Sequence, residues 1–245
     1  MTKRYQPVAL LFLLAPFALP AQNVRMNNGI ITNLSEAKVV KYVDEVDFNG
    51  LGGNAKVSYS RIKGSPFWSD QWKEADLFTE SSQIGTAPVK LNLATDEIYF
   101  LKNNEEWVLQ DKDIVRVVFK NDSIEFQRKV ANLFLNKKKV DGLVAILNQG
   151  AYQLIRYVHR TVVTADSLFG TQKRYFFRDD IDYFIRTNQI IQPIRKLNRE
   201  AFLAVLPKAS QYNDWINEKK LTFKREQDLL QFLQFYNSKL PNAPE

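Results

Sequence analysis

Short apolar runs separated by turn residues fill the middle of this 245-residue chain. Val89, Leu91 and Leu93 alternate with Lys90 and Asn92, the period of two that lets a strand bury one face and wet the other. Residues 97–101 and 106–109 follow as two further strands, with Asn103-Asn104 between them. Val115, Val117 and Phe119 line one face of the next strand, and Asn121-Asp122 turns the chain into Ile124 and Phe126. Asp141-Gly142 and Asn148-Gln149-Gly150 bracket an apolar run at 143–147, and residues 152–163 supply a long partner for it. Residues 174–178 and 181–186 read as a hairpin closed by Asp179-Asp180. Asn and Asp accept the left-handed backbone that tight turns need, so they punctuate such a pattern.

Beyond residue 195 the period lengthens to that of a helix. Asn198 can cap a helix carrying Phe202, Leu203 and Leu206, ended by Pro207. Residues 210–219 form a second, with Tyr212, Trp215 and Ile216 on one stripe. Thr222 can cap a third, in which Leu229, Leu230, Leu233 and Tyr236 share a face. The chain therefore reads as α+β. An antiparallel β-rich domain over 55–195, built as a meander, sandwich or partly open barrel, precedes a small helical C-terminal domain over 196–245. Residues 22–54 are a lead-in, in which 34–46 suits a short helix or a β-branched strand.

The N-terminus predicts export. Lys3 and Arg4 precede a short apolar stretch at 8–14, and Ala18-Leu19-Pro20-Ala21 supplies a cleavage region, making 1–21 a signal peptide. Pro7, Pro16 and Pro20 leave too short a run to span a bilayer, which takes roughly 20 apolar residues. No membrane span is expected after cleavage, and the location is periplasmic, cell-surface or secreted. An outer-membrane barrel fits less well, because several strands fall short of the roughly ten residues such a wall needs.

Composition removes several chemistries. Cysteine is absent, which excludes disulfides, thiol nucleophiles, thiolate metal sites and a lipidated cysteine anchor. Loss of Lys3 and Arg4 leaves 32 basic against 27 acidic residues, a net +5 from the +7 of the whole chain. The basic residues are dispersed, so no nucleic-acid partner is expected. His159 is the only histidine, and no Gly-x-Ser-x-Gly elbow accompanies it. A zinc site needs more nitrogen or sulfur ligands than that, and Gly50-Leu51-Gly52-Gly53 lacks the lysine of a phosphate loop. Carboxylates remain: Asp96-Glu97, Glu105-Glu106, and Asp179, Asp180 and Asp182, the last three beside Arg174, Arg178 and Arg186. Turn chemistry and surface ion pairs account for them. No catalytic, cofactor or metal residue stands out.

Gly64-Ser65-Pro66-Phe67 and the pattern from Val89 to Phe100 resemble a family of uncharacterised exported proteins of Bacteroidetes-type bacteria. The likeness runs through the Gly142 hairpin to Phe235-Tyr236-Asn237-Ser238. It implies compartment and architecture, and it brings no activity with it. Pro66 forces an extended approach at Ser65, and Phe67-Trp68 can plug a sheet edge as a structural corner. Alternatively Phe67, Trp68 and Trp72 form an aromatic contact surface. Asp122-Ser123-Ile124 and Asp166-Ser167-Leu168 match the three-residue acceptor pattern for O-glycans on exported proteins, with Ser123 and Ser167 as acceptors.

These observations favour a non-enzymatic binding or interaction module of the bacterial envelope, with an envelope protein or glycan as partner and no cofactor. A carboxylate-based hydrolase acting on envelope or extracellular glycans is the rival, and an envelope assembly protein is a third reading.

Overall fold

Two-residue alternation becomes sheet through the middle of the chain. The computed structural model describes residues 39–41, 46–50, 53–109, 114–122, 124–167, 170–187 and 190–240. The expected signal peptide, most of the lead-in and Ser123 lie outside the described residues. In chain order the strands are β1 (Val39–Lys41), β2 (Val46–Gly50), β3 (Gly53–Val57), β4 (Ile62–Lys63), β5 (Lys73–Phe78) and β6 (Gln83–Asn92). There follow β7 (Glu97–Lys102), β8 (Glu105–Leu109), β9 (Arg116–Phe119), β10 (Glu125–Gln127), β11 (Phe134–Leu135) and β12 (Lys138–Lys139). The last four are β13 (Val144–Ile146), β14 (Gln153–Ser167), β15 (Gly170–Arg186) and β16 (Ile191–Ile194). Ser167 thus ends β14.

Twelve strands join one sheet in the order β1-β8-β7-β6-β5-β9-β10-β13-β14-β15-β16, with β4 alongside β15. Every pairing in it is antiparallel except β4 with β15. Two meanders meet at β5, because β9 re-enters the sheet on the side of β5 that β6 leaves open. Asn103 and Asn104 both take positive φ, 52° and 64°, which gives the β7–β8 hairpin the twist its strands require. The ambiguous 34–46 segment contributes the strand β1.

The hairpin expected at Asp179-Asp180 does not form. β15 runs unbroken through both residues, paired with β14 from Gln153↔Arg186 onward. Asp179 lies opposite Arg160, whose guanidinium takes its carboxylate in two bonds, Nε to Oδ1 at 2.6 Å and Nη2 to Oδ2 at 2.7 Å. The acids are side-chain partners of the strand, not turn residues.

Helices α1 (Arg199–Leu203), α2 (Asn213–Glu218) and α3 (Glu226–Ser238) follow. Asn198 caps α1 by accepting from the Ala201 N–H at 2.8 Å. Thr222 does not begin α3. The buried Asp228 carboxylate instead gathers the Thr222 and Phe223 N–H groups, each at 3.0 Å, and so folds the approach to the helix. Leu229, Phe232, Leu233 and Tyr236 are the buried stripe of α3, with Leu230 half-buried beside it. They merge with Val89, Leu91, Ile98, Phe100, Val117, Phe119, Leu154 and Ile185 into one apolar core. On the opposite face Val144, Ile146, Ile155 and Phe184 pack under Val130, Leu133 and Val140. Burial on both faces explains the continuous apolar run around β13.

Candidate functional site

The β6–β7 turn positions a cleft. Asn92, fully buried at the end of β6, accepts from the Ala94 and Thr95 N–H groups at 2.9 and 3.2 Å. Its amide donates to the Tyr59 hydroxyl at 2.8 Å, locking the turn to a second aromatic layer. Asp96 then takes φ +56°, a left-handed geometry that Asp tolerates through its short polar side chain. This conformation aims its carboxylate across the turn, where Oδ1 accepts the Leu143 N–H at 2.9 Å. Gly142 is required at that approach. A Cβ there would stand 2.6 Å from Asp96 Oδ2.

Arg128 leaves β10 and is almost wholly enclosed; its Nη2 donates to the Asp96 carbonyl. Together with Thr95, Asp96, Glu97, Leu109, Lys129, Lys139, Asp141 and Gly142 it lines a cavity of about 790 Å³. Glu97 accepts from Thr95 Oγ1 at 2.6 Å and from the Tyr99 hydroxyl at 3.2 Å. Lys139 and Asp141 form an exposed ion pair at 3.4 Å.

Burial sets the electrostatics. Loss of water pushes the Asp96 carboxyl above its ordinary value, although the Leu143 hydrogen bond and the charges of Arg128 and His159 pull it down. The Arg128 guanidinium is lowered by the same burial, against the opposing pull of Asp96 and Glu97. Tyr157 is raised, first by burial and then by Asp96 and Asp182. His159 stacks parallel to Tyr157 at 6.3 Å between ring centres. The charge of the sole histidine therefore reaches the Asp96 carboxylate, which its sequence neighbours did not suggest. Among the described residues no three His, Cys, Asp or Glu side chains gather to hold a metal ion.

Phe67, Trp68 and Trp72 are each half-buried. Trp68 packs against the core, 4.8 Å from Phe119 and 5.1 Å from Phe126. Phe67 meets Tyr99 edge-on at 5.1 Å, and Lys90 sits over both Phe67 and Trp72, at 5.3 and 4.6 Å. The Gly-Ser-Pro-aromatic corner is held from outside itself: Arg160 Nη1 donates to the Ser65 and Phe67 carbonyls at 2.8 and 2.7 Å. Leu93 N–H bonds the Pro66 carbonyl and Trp68 N–H the Leu91 carbonyl, both at 2.8 Å, so the corner extends the sheet beside β6. Arg160 and Arg128 both escaped the sequence reading, because Arg128 acts on Asp96, 32 positions away, and Arg160 on Asp179, Ser65 and Phe67, all beyond a local window.

Asp180 pairs with Arg178 at 3.3 Å on the surface, while Arg186 turns instead to Gln153 and Gln127, each at 2.8 Å. Among the described residues no helix is long and apolar enough to cross a membrane. No protein-family model, curated protein or solved structure matches the chain.

Proposed function

We propose that the protein is a non-enzymatic binding module of the bacterial envelope, exported by its N-terminal signal peptide, and that its ligand occupies the Asp96–Arg128 cleft. The observation that carries this reading is an arginine only 9% exposed in the wall of a cavity of about 790 Å³. A buried guanidinium has lost much of its hydration, so an incoming anion is attracted more strongly there than at the open surface. Lys129 and Lys139 line the same cavity, and Thr95 and Glu97 offer oxygen to hydroxyl groups. The cavity falls in the size range of small-molecule sites. The ligand is a small polar molecule that carries one anionic group together with hydroxyls.

Thermal-shift titration with glucuronate, glucose, acetate and inorganic phosphate tests this. Glucuronate is expected to raise the melting temperature most and glucose least, with the glucuronate shift lost in Arg128→Met. If none of the four probes shifts the melting temperature, the cleft is not a binding site for this class.

The hydrolase reading draws on a different feature, the three carboxylates Asp96, Glu97 and Asp141 lining one cleft. Turnover of an aryl glycoside that disappears in Glu97→Gln would establish it in place of the binding reading. The tie from Asp96 to Leu143 argues for a structural carboxylate.

A further inference from the structure

The outer edge of β15 is interrupted. β4 pairs with it at Tyr175 and Phe176, and β16 pairs with it from Tyr183 to Arg186. Between them, residues 177–182 have no strand partner on that side among the described residues. The direction of the free groups follows from the ladder. Thr187 N–H bonds the Ile190 carbonyl at 2.9 Å, so outward-facing residues recur every second position back along the strand. Tyr183 and Ile185 face β16, and the main chains of Phe177, Asp179 and Ile181 face outward ahead of them. The β14–β15 register holds unbroken through this stretch.

Exposed edges are normally blunted by charged side chains, lysine above all, by proline or by a bulge. Residues 177–182, Phe-Arg-Asp-Asp-Ile-Asp, contain no lysine, proline or bulge, and of their four charges those of Arg178, Asp179 and Asp180 are engaged in ion pairs. Arg178, Asp179, Asp180 and Ile181 are all exposed, Ile181 at 49%. The Ile181 side chain shares its face with Phe177 and Asp179. Asp180 and Asp182 share the other face with Arg178 and, across the ladder, His159. Asp179 is satisfied by Arg160 and Asp180 by the exposed Arg178, so the acidic surplus rests on Asp182. Burial and then the Asp180 charge push the Asp182 carboxyl up, against a smaller pull from His159.

We infer that residues 177–182 are a docking edge for an extended peptide of a partner protein, which adds as a strand between β4 and β16. The peptide carries an aliphatic residue opposite Ile181 with a basic residue on either side. Main-chain hydrogen bonds to Asp179 and Ile181 supply affinity, and the alternate side chains supply selectivity. The edge shares no lining residue with the Asp96 cleft, although the charges of Asp96 and Asp182 both reach Tyr157.

The probe is a labelled, end-blocked ten-residue peptide of alternating threonines around a central Lys-Val-Lys, read by fluorescence polarisation against the full chain. Replacing both lysines by glutamate, or reversing the surface with Asp180→Lys and Asp182→Lys together, is expected to weaken binding on the order of tenfold. Ile181→Pro removes an outward N–H and leaves the β14 ladder intact, so it is expected to abolish binding without altering the circular dichroism. Should that variant lose its fold, backbone N-methylation of the peptide makes the same test from the other side. Amide exchange at Asp179 and Ile181 should be fast in the free chain and slow with peptide. Absence of binding, binding indifferent to charge or to main-chain blocking, amides already protected in the free chain, or concentration-dependent pairing of two copies through this edge would each overturn the inference.

Discussion

A single carboxylate connects the two halves of the cleft. Asp96 stands on the β6–β7 turn and reaches Leu143 across a gap that only Gly142 leaves open. Gly142→Ala places a methyl against both carboxylate oxygens and is expected to cost about 1–3 kcal/mol, measured by urea unfolding. The raised Asp96 carboxyl gives a second expectation whose sign follows from proton linkage. The folded chain binds this proton more tightly than the unfolded chain, so ionisation weakens folding. The penalty is absent below the ordinary carboxylate value, grows as pH rises towards the raised value, and is complete above it. Asp96→Asn mimics the protonated form and suits the left-handed backbone, so it should melt higher than the parent at pH 7. That advantage should vanish in acid below the ordinary carboxylate range; an advantage that persists there would locate the effect elsewhere. The turn itself was legible, because Asn92 and Asp96 belong to the residue types that turns demand. Its burial was not, since Arg128 and Gly142 arrive from a segment more than 30 residues later.

At the level of elements, local periodicity served well wherever neighbours in sequence are neighbours in the sheet. The β6–β7 and β7–β8 hairpins and α3 follow directly from it. It misled at Asp179-Asp180, where turn-forming residues sit inside a 17-residue strand. The residue that overrides them, Arg160, lies on the facing strand and is invisible to a local window. The junction between α3 and the sheet was equally hidden. Asn237, which reads as a helix terminator, presents its amide to Tyr152 as a strand would. Oδ1 accepts the Tyr152 N–H at 3.0 Å, and Nδ2 donates to the Tyr152 carbonyl at 2.9 Å. Gly150, at φ +122°, keeps clear the space that Asn237 fills. Asn237→Ala leaves both main-chain groups without this partner, and a loss of about 2–3 kcal/mol is expected in chemical denaturation. A loss below 0.5 kcal/mol would show that water replaces the clamp at no cost.

Across the whole molecule, the large sheet and the helical tail share one apolar core. Leu233 and Phe232 of α3 are fully buried in the same cluster as Leu91, Phe100 and Leu154 of the sheet. Glu226, at the start of α3, takes Arg156 Nη1 at 3.0 Å and the Tyr183 hydroxyl at 2.9 Å, so polar contacts reinforce the same junction. The succession of β and helical periods shows the order of these parts in the sequence. Their mutual burial depends on long-range packing that no local pattern records. A shared core couples the parts energetically, because neither can lose the other without wetting its own apolar face. Leu233→Asp tests this coupling: an unpaired carboxylate in that contact costs several kcal/mol, roughly, or takes up a proton. Calorimetry should give one transition in the parent and one transition at lower temperature in the variant. Tryptophan fluorescence, to which Trp68, Trp72 and Trp107 contribute beside Trp215 of α2, and far-ultraviolet circular dichroism should report the same midpoint, because the tail and the strands then unfold together. Two separated transitions, with the strands melting at the parent temperature, would show instead that the tail undocks as an independent unit.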